Sequence, residues 1–139
     1  MSWDPYIDNL VSQSKDASGT EHIDRACIFG LDGGAMWTTP AHCKSMKPQG
    51  QELANLARCF KSSDYTSLQA GGVWLEGEKY QFLRAEGDTV LAKKKGNGAI
   101  SLQASKTAIV AAHCPEGGQQ GNANKGVGVV AEYLSSMNM

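Results

Sequence analysis

Apolar residues recur along this chain with two different periods. Near the start, Trp3, Tyr6, Ile7, Leu10 and Val11 fall at i, i+3, i+4, i+7 and i+8, which is one face of a helix. Ser2 suits the N-cap, Asp4 the first turn, and Pro5 a position whose N–H has no intrahelical partner. Ala17-Ser18-Gly19-Thr20 reads as a turn, Ile23 to Phe29 as a strand, and Asp32-Gly33-Gly34 as the next turn. Ala35 to Thr39 predicts a short return strand carrying Trp37. Pro48-Gln49-Gly50 then opens a second helix, with Leu53, Leu56, Ala57 and Phe60 as its apolar stripe.

From about Ser67 to His113 the pattern changes to short apolar or β-branched runs. These are Val73-Trp74-Leu75, Lys79 to Arg84, Val90 to Lys93, Ala99 to Ala104 and Thr107 to His113. Glu76-Gly77, Glu86-Gly87-Asp88, Gly96-Asn97-Gly98 and Ser105-Lys106 separate them, and such short spacings imply antiparallel hairpins. Glu116 to Asn124 is rich in Gly, Gln and Asn and reads as a loop. A last helix is predicted from about Asn122 to Ser136, with Val127, Val130, Leu134 and Met137 on one face and Tyr133 at its edge. Strands joined mostly as hairpins favour an α+β architecture, a central antiparallel sheet with helices on its faces. The two terminal helices are expected to lie together, since each has one apolar face to bury.

Length and composition narrow this further. The chain has 139 residues, one domain's worth, so residues 1–139 are read as a single unit. Hydrophobic residues make up 41% and charged residues 19%, an ordinary globular balance. A net charge of −1 argues against a general nucleic-acid coat. The average conceals an asymmetry: residues 1–78 carry six Lys/Arg and ten Asp/Glu, whereas residues 79–139 carry seven and four. The positive surface therefore belongs to the second half. No N-terminal apolar run with a cleavage site and no long apolar stretch is visible, so neither a signal peptide nor a transmembrane segment is expected. The four cysteines form no C-x-x-C pair, and a reduced intracellular protein is expected.

Few residues suggest catalysis. His42-Cys43 and His113-Cys114 could be read as a nucleophile pair or as metal ligands. Adjacent strand residues point to opposite faces, and free Cys is commonly a small core hydrophobe, so the structural reading is preferred. Gly117-Gly118-Gln119-Gln120-Gly121 lacks the spacing of a phosphate loop and reads as a connector. Glu76 and Glu78 flank a turn and read as solvated. No enzyme activity, metal or cofactor is expected.

The aromatics and the lysines say more. Trp3 and Tyr6 lie one turn apart near a chain end, a poor place for core rings unless something holds them. Packed beside the last helix, Trp3, Tyr6 and Tyr133 would form an aromatic ledge. Polyproline II segments dock on such ledges, because their free carbonyls accept from indole N–H and phenol O–H. Lys93-Lys94-Lys95, with Lys79, Arg84, Lys106 and Lys125, offers either a solvated hairpin edge or a face for an acidic protein or anionic headgroup. Seven cations against three acids between Lys79 and Lys125 favour the binding face.

These residues, taken in order, resemble the profilin family over essentially the whole chain, and most closely its invertebrate members. The opening Met1-Ser2-Trp3 with Tyr6 and Asp8-Asn9-Leu10 is similar to the family's N-terminal signature. Ala35-Met36-Trp37, Gly77-Glu78-Lys79-Tyr80 before Leu83-Arg84, Lys93-Lys94-Lys95-Gly96, Lys106-Thr107 and Ala131-Glu132-Tyr133-Leu134 follow in the family's order. The resemblance implies a central antiparallel sheet with the N- and C-terminal helices on one face and further helices on the other. It implies a proline-rich ligand site on Trp3, Tyr6, Trp37, Tyr133 and Leu134. It also implies a monomeric actin site involving Lys79, Arg84, Lys93, Lys94, Lys95, Gly117, Gly118, Asn124 and Lys125. Phosphoinositide headgroups would bind basic residues overlapping these surfaces. The implied protein is a cytoplasmic, cytoskeleton-associated adaptor that binds actin monomers, assists exchange of their nucleotide and delivers them to proline-rich assembly factors. The competing reading is a ligand-sensing or trafficking scaffold of similar shape without actin binding.

Overall fold

The computed structural model describes residues 3–39, 42–86 and 88–139. In chain order its elements are α1 (Pro5–Gln13), β1 (Arg25–Gly30), α2 (Glu52–Ser62), α3 (Thr66–Gly71), β2 (Val73–Leu75), β3 (Glu78–Glu86), β4 (Thr89–Lys94), β5 (Gly98–Ala104), β6 (Ala108–Cys114) and α4 (Gln120–Ser136). Among the described residues the strands form one antiparallel sheet in the order β1-β6-β5-β4-β3-β2. Strands β2 to β6 follow one another as hairpins. Only β1 joins from a distance, pairing Arg25 with His113 and Gly30 with Ala108.

Strand alternation divides the interior into two cores. Cys27 and Phe29 of β1 enter the core beneath α2 and α3, with Leu56, Phe60, Leu68, Ile100, Leu102 and Ile109. Ala26 and Ile28 enter the opposite core, with Ile7 and Leu10 of α1, Val110 of β6, and Val127, Val130 and Leu134 of α4. The expected arrangement, terminal helices together on one face and further helices on the other, is the observed one. All seven residues of β6 are buried because helices cover both of its faces. Each fully buried Leu or Ile stabilises the fold by roughly 1.5–3 kcal/mol. Small residues set the spacing on the terminal-helix side, where Ala26, Ala108 and Ala112 line the sheet. At Gly126, α4 crosses α1 so closely that a Cβ would lie 2.9 Å from the Leu10 carbonyl oxygen.

Several local expectations are revised. Ala35 to Thr39 is not a strand; one bridge, Phe29 to Met36, is all that forms. The chain turns back through left-handed Gly33 and Gly34, but Asp4 then draws Thr39 toward α1. Its carboxylate accepts from the Thr39 N–H at 2.6 Å and the Thr39 hydroxyl at 2.5 Å. Asp4 occupies the N-cap position itself, and the expected cap Ser2 lies outside the described residues. The segment from Ser67 is helical, as α3, before the strands begin. The Asp64 carboxylate anchors its start by accepting from the N–H and hydroxyl of Thr66, and the helix buries Leu68. Helix α4 begins at Gln120, so part of the expected loop is helical, and Met137 lies past its end, exposed.

Candidate functional site

Four aromatic rings form a continuous row on the terminal-helix side. Trp37 and Trp3 have centroids 4.9 Å apart, Trp3 and Tyr6 5.2 Å, and Tyr6 and Tyr133 6.2 Å. Each contact is tilted, by 33° to 38°, so faces and edges both reach the surface. Helical spacing brings Tyr6 beside Trp3. The close crossing at Gly126 brings Tyr133 to Tyr6, and the return through Gly33 and Gly34 brings Trp37. Gly30 leaves room for that last ring, since a Cβ there would lie 3.3 Å from the Trp37 indole nitrogen.

The row is partly open to solvent. Trp3, Tyr6 and Trp37 are half-buried and Tyr133 is 53% exposed. Beside it, Tyr6, Asn9, Gln13, Val129, Val130 and Tyr133 line a groove between α1 and α4. Burial, then the neighbouring Tyr133, holds the Tyr6 phenol above its usual range. Tyr6 therefore remains a hydrogen-bond donor at neutral pH. Leu134 has no exposed surface and supports the row from the core beneath it. An apolar shelf that carries phenol O–H groups can take a ligand that is preformed, apolar and rich in free carbonyls.

A second surface lies on the outer strands, on the α4 side of the sheet. A β-bulge shapes it. Phe82 pairs with Ala92 but Arg84, not Leu83, pairs with Leu91. The extra residue turns Arg84 to the face it shares with Leu91 and leaves Leu83 48% exposed. Arg84, Leu91, Gln103 and Asn124 line one hollow there. Lys93, Cys114, Gly117, Gly118 and Gln120 line another. Asn124 accepts a hydrogen bond from the Ser101 hydroxyl, fixing α4 over β5, and Lys125 next to it is exposed.

Alternation splits the lysine run. Lys93 faces the α4 side, whereas Lys94 pairs with Glu78 on the opposite face and Lys95 lies in the turn to β5. The sequence reading overlooked Trp74. It lies opposite Lys79 on edge strand β2, between the buried Val73 and Leu75, and is 49% exposed. The signal was present: a Trp alternating with two core residues must face away from that core.

In the two His-Cys pairs both histidines are hydrogen-bonded within the fold, Cys114 is buried and Cys43 is exposed. His42 Nε2 lies 2.9 Å from an Asp8 oxygen while its Nδ1 accepts the Lys44 N–H. Buried His113 lies between Asp24, at 2.6 Å, and the Asn97 carbonyl, at 2.5 Å. Burial raises the Asp24 carboxyl, but the hydrogen bond and charge of His113, with Arg25, outweigh it and leave the group below its ordinary range. Burial pushes the Cys114 thiol up. Among the described residues no cluster of His, Cys, Asp or Glu is arranged to hold a metal ion. Glu76 and Glu78 are engaged separately, with Arg25 and Lys94.

The family model described as Profilin matches residues 1–139. The chain belongs to the profilin family. It is 71% identical over 140 residues to the profilin of Suberites domuncula and, likewise, to that of Clypeaster japonicus, in each case across 100% of both chains. Its fold is similar to the solved Schizosaccharomyces pombe profilin, with a TM-score of 0.79 and 32% identity over 99% of this chain and 100% of that one. Profilins are non-enzymatic, cytoplasmic, cytoskeleton-associated proteins that bind actin and proline-rich segments, and as a profilin the chain is an actin-binding protein of this kind. No helix among the described residues is long and apolar enough to cross a membrane.

Proposed function

We propose that the chain carries actin monomers to proline-rich assembly factors, using two surfaces at once. The row Trp37-Trp3-Tyr6-Tyr133, with Leu134 beneath it, is the proline-rich ligand site. The outer sheet face with Lys79, Arg84, Lys93, Gly117, Gly118, Asn124 and Lys125 is the actin site, with Lys94 and Lys95 at its margin and Trp74 as its apolar anchor. The observation that carries this reading is the continuous contact of four rings from separate segments of the chain, on a surface apart from the bulged strand that presents Arg84.

The physics assigns different tasks to the two surfaces. Cations on the sheet face attract an acidic partner and chiefly raise its on-rate, while Trp74 supplies buried area once docked. Nucleotide exchange on actin is hastened if this face fits an opened actin conformation better than a closed one, since linkage then weakens nucleotide holding. Tethering through the ring row raises the local concentration of actin near the filament end. Phosphoinositide headgroups would use the same cations, so lipid and actin would compete.

Paired substitutions test the division of labour. Trp3→Ala is expected to abolish proline-peptide binding in calorimetric titration and leave actin binding near wild type. Lys79→Glu or Lys125→Glu is expected to weaken actin binding and nucleotide exchange with little effect on the peptide. Unchanged peptide affinity in the first variant, or unchanged actin binding in the others, would displace the assigned surface.

A further inference from the structure

His22 joins the approach to β1 with the segment that leads into α4. Its Nε2 lies 2.8 Å from the Asp16 carboxylate, and its Nδ1 accepts the backbone N–H of Gln119 at 2.9 Å. Accepting at Nδ1 requires a free lone pair there. The ring is therefore neutral, with its proton on Nε2 and donated to Asp16.

Both sides of this linkage are firmly held. The Ser14 hydroxyl accepts the N–H groups of His22 and Ile23 at 3.0 and 3.1 Å. Asp16 also accepts from the Ser18 N–H, the Ser18 hydroxyl and the Thr20 N–H. On the far side, Gln119 is the N-cap residue of α4, where backbone N–H groups lack intrahelical partners. Gly118 packs so tightly that a Cβ there would lie 2.8 Å from the Cys114 sulfur and 3.5 Å from His22 Nδ1. The His22 side chain is only 8% exposed, so water is a poor substitute partner for Gln119.

We propose that His22 is a positioning residue for the actin face: its neutral ring latches the Gly117–Gln119 segment to the core, and protonation of the ring opens the latch. The proposal rests on the assignment of Gly117 and Gly118 to that face. A protonated ring would set an N–H against the Gln119 N–H, two donors with no acceptor, and the segment must withdraw. The Nε2–H bond to Asp16 is the same in either state of the ring, so the Gln119 side gives way. Several ionisable groups of the flanking segments are engaged elsewhere or uncharged, while Lys15 adjoins Asp16 in the chain. Glu21 faces Lys44, Asp24 binds His113 and Arg25, Glu116 accepts the Gly98 N–H, and burial keeps the Cys114 thiol protonated.

The test compares wild type, His22→Asn and His22→Gln between about pH 8 and about pH 5, the range in which histidine changes charge. Two readouts are followed, hydrogen exchange of the Gln119 amide and affinity for actin monomers. Asn sets a carbonyl oxygen near the position of Nδ1 and does not titrate. Gln reaches toward Asp16 but puts no acceptor at that position. In wild type, acidification is expected to lose Gln119 protection and roughly tenfold in actin affinity, the scale of one buried hydrogen bond. His22→Asn is expected to lack both of these pH dependences, and His22→Gln to be weak in both readouts throughout. A Gln119 protection that does not change with pH in wild type overturns the latch. Equal loss of actin affinity in wild type and His22→Asn overturns its control of the face. Failure of wild type to bind actin at any pH would instead defeat the surface assignment, while the exchange data still judge the latch.

Discussion

The indole rings of Trp3 and Trp37 pack with centroids 4.9 Å apart and planes inclined by 37°, although one precedes α1 and the other follows β1. Each holds the other at a surface where a lone ring would be mobile. A ligand lying across both meets a shelf whose ordering cost was met during folding. Trp37→Ala is therefore expected to weaken proline-peptide binding by about 2 kcal/mol, the scale of an aromatic anchor. The double variant with Trp3→Ala should lose little more, because the two rings act as one unit. Calorimetric titration of the four proteins in this cycle measures it; additive losses would show two independent contacts.

Gly126 decides how closely the ring-bearing helices cross. A Cβ there would meet the Leu10 carbonyl oxygen at 2.9 Å, a backbone atom that moves only if α1 moves. Gly126→Ala is expected to destabilise the fold by about 1–3 kcal/mol, despite the better helix propensity of Ala, and to weaken proline-peptide binding by parting Tyr6 from Tyr133. Gly128→Ala is the control. Its Cβ would touch only the Gln103 side chain, at 3.4 Å. That change should be neutral or stabilising by up to about 1 kcal/mol in urea unfolding.

Asp16 gives the fold an acid-sensitive element. Hydrogen bonds from Ser18, then from His22 and Thr20, hold its carboxyl far below the usual carboxylate range. A group lowered on folding stabilises the native state above its unfolded pKa, about 4, and that contribution is lost as pH falls toward the folded value. Asp16→Asn should therefore be less stable than wild type at neutral pH. The difference should shrink as pH drops below about 4. Urea midpoints across that range check the sign.

Thiol chemistry should distinguish the four cysteines. Cys43 is exposed, while Cys27, Cys59 and Cys114 are buried. Burial, then the nearby Glu76 charge, drives the Cys27 thiol far above its ordinary range, so it forms no thiolate at neutral pH. A thiol-specific reagent is expected to modify Cys43 alone in the native protein and all four in denaturant. Mass spectrometry of the labelled peptides would reveal any second reactive site.

Elements with strong periodicity were legible from the residues. The face Ile7, Leu10 and Val11 and the stripe Leu53, Leu56, Ala57 and Phe60 are buried as their spacing implies. Helix α3 was not legible, because six residues with one buried side chain carry no period. Trp37 was expected on a strand. It reached the ring row by another route, through two left-handed glycines and an Asp4 to Thr39 contact that no local pattern encodes.

The order of the elements, their amphipathic faces and their hairpin connections were determined by the sequence by itself, because burial of one face is a local demand repeated every few residues. So was the family, through short motifs kept in order. The tertiary structure alone decided which face each cation takes and which remote groups meet: Arg84 turned outward by a bulge, Lys93 parted from Lys94, and the neutral ring of His22 bonded to an amide far along the chain. Those outcomes depend on register and on helix crossing distance. Both are set by contacts between residues remote in sequence, which no window along the chain contains.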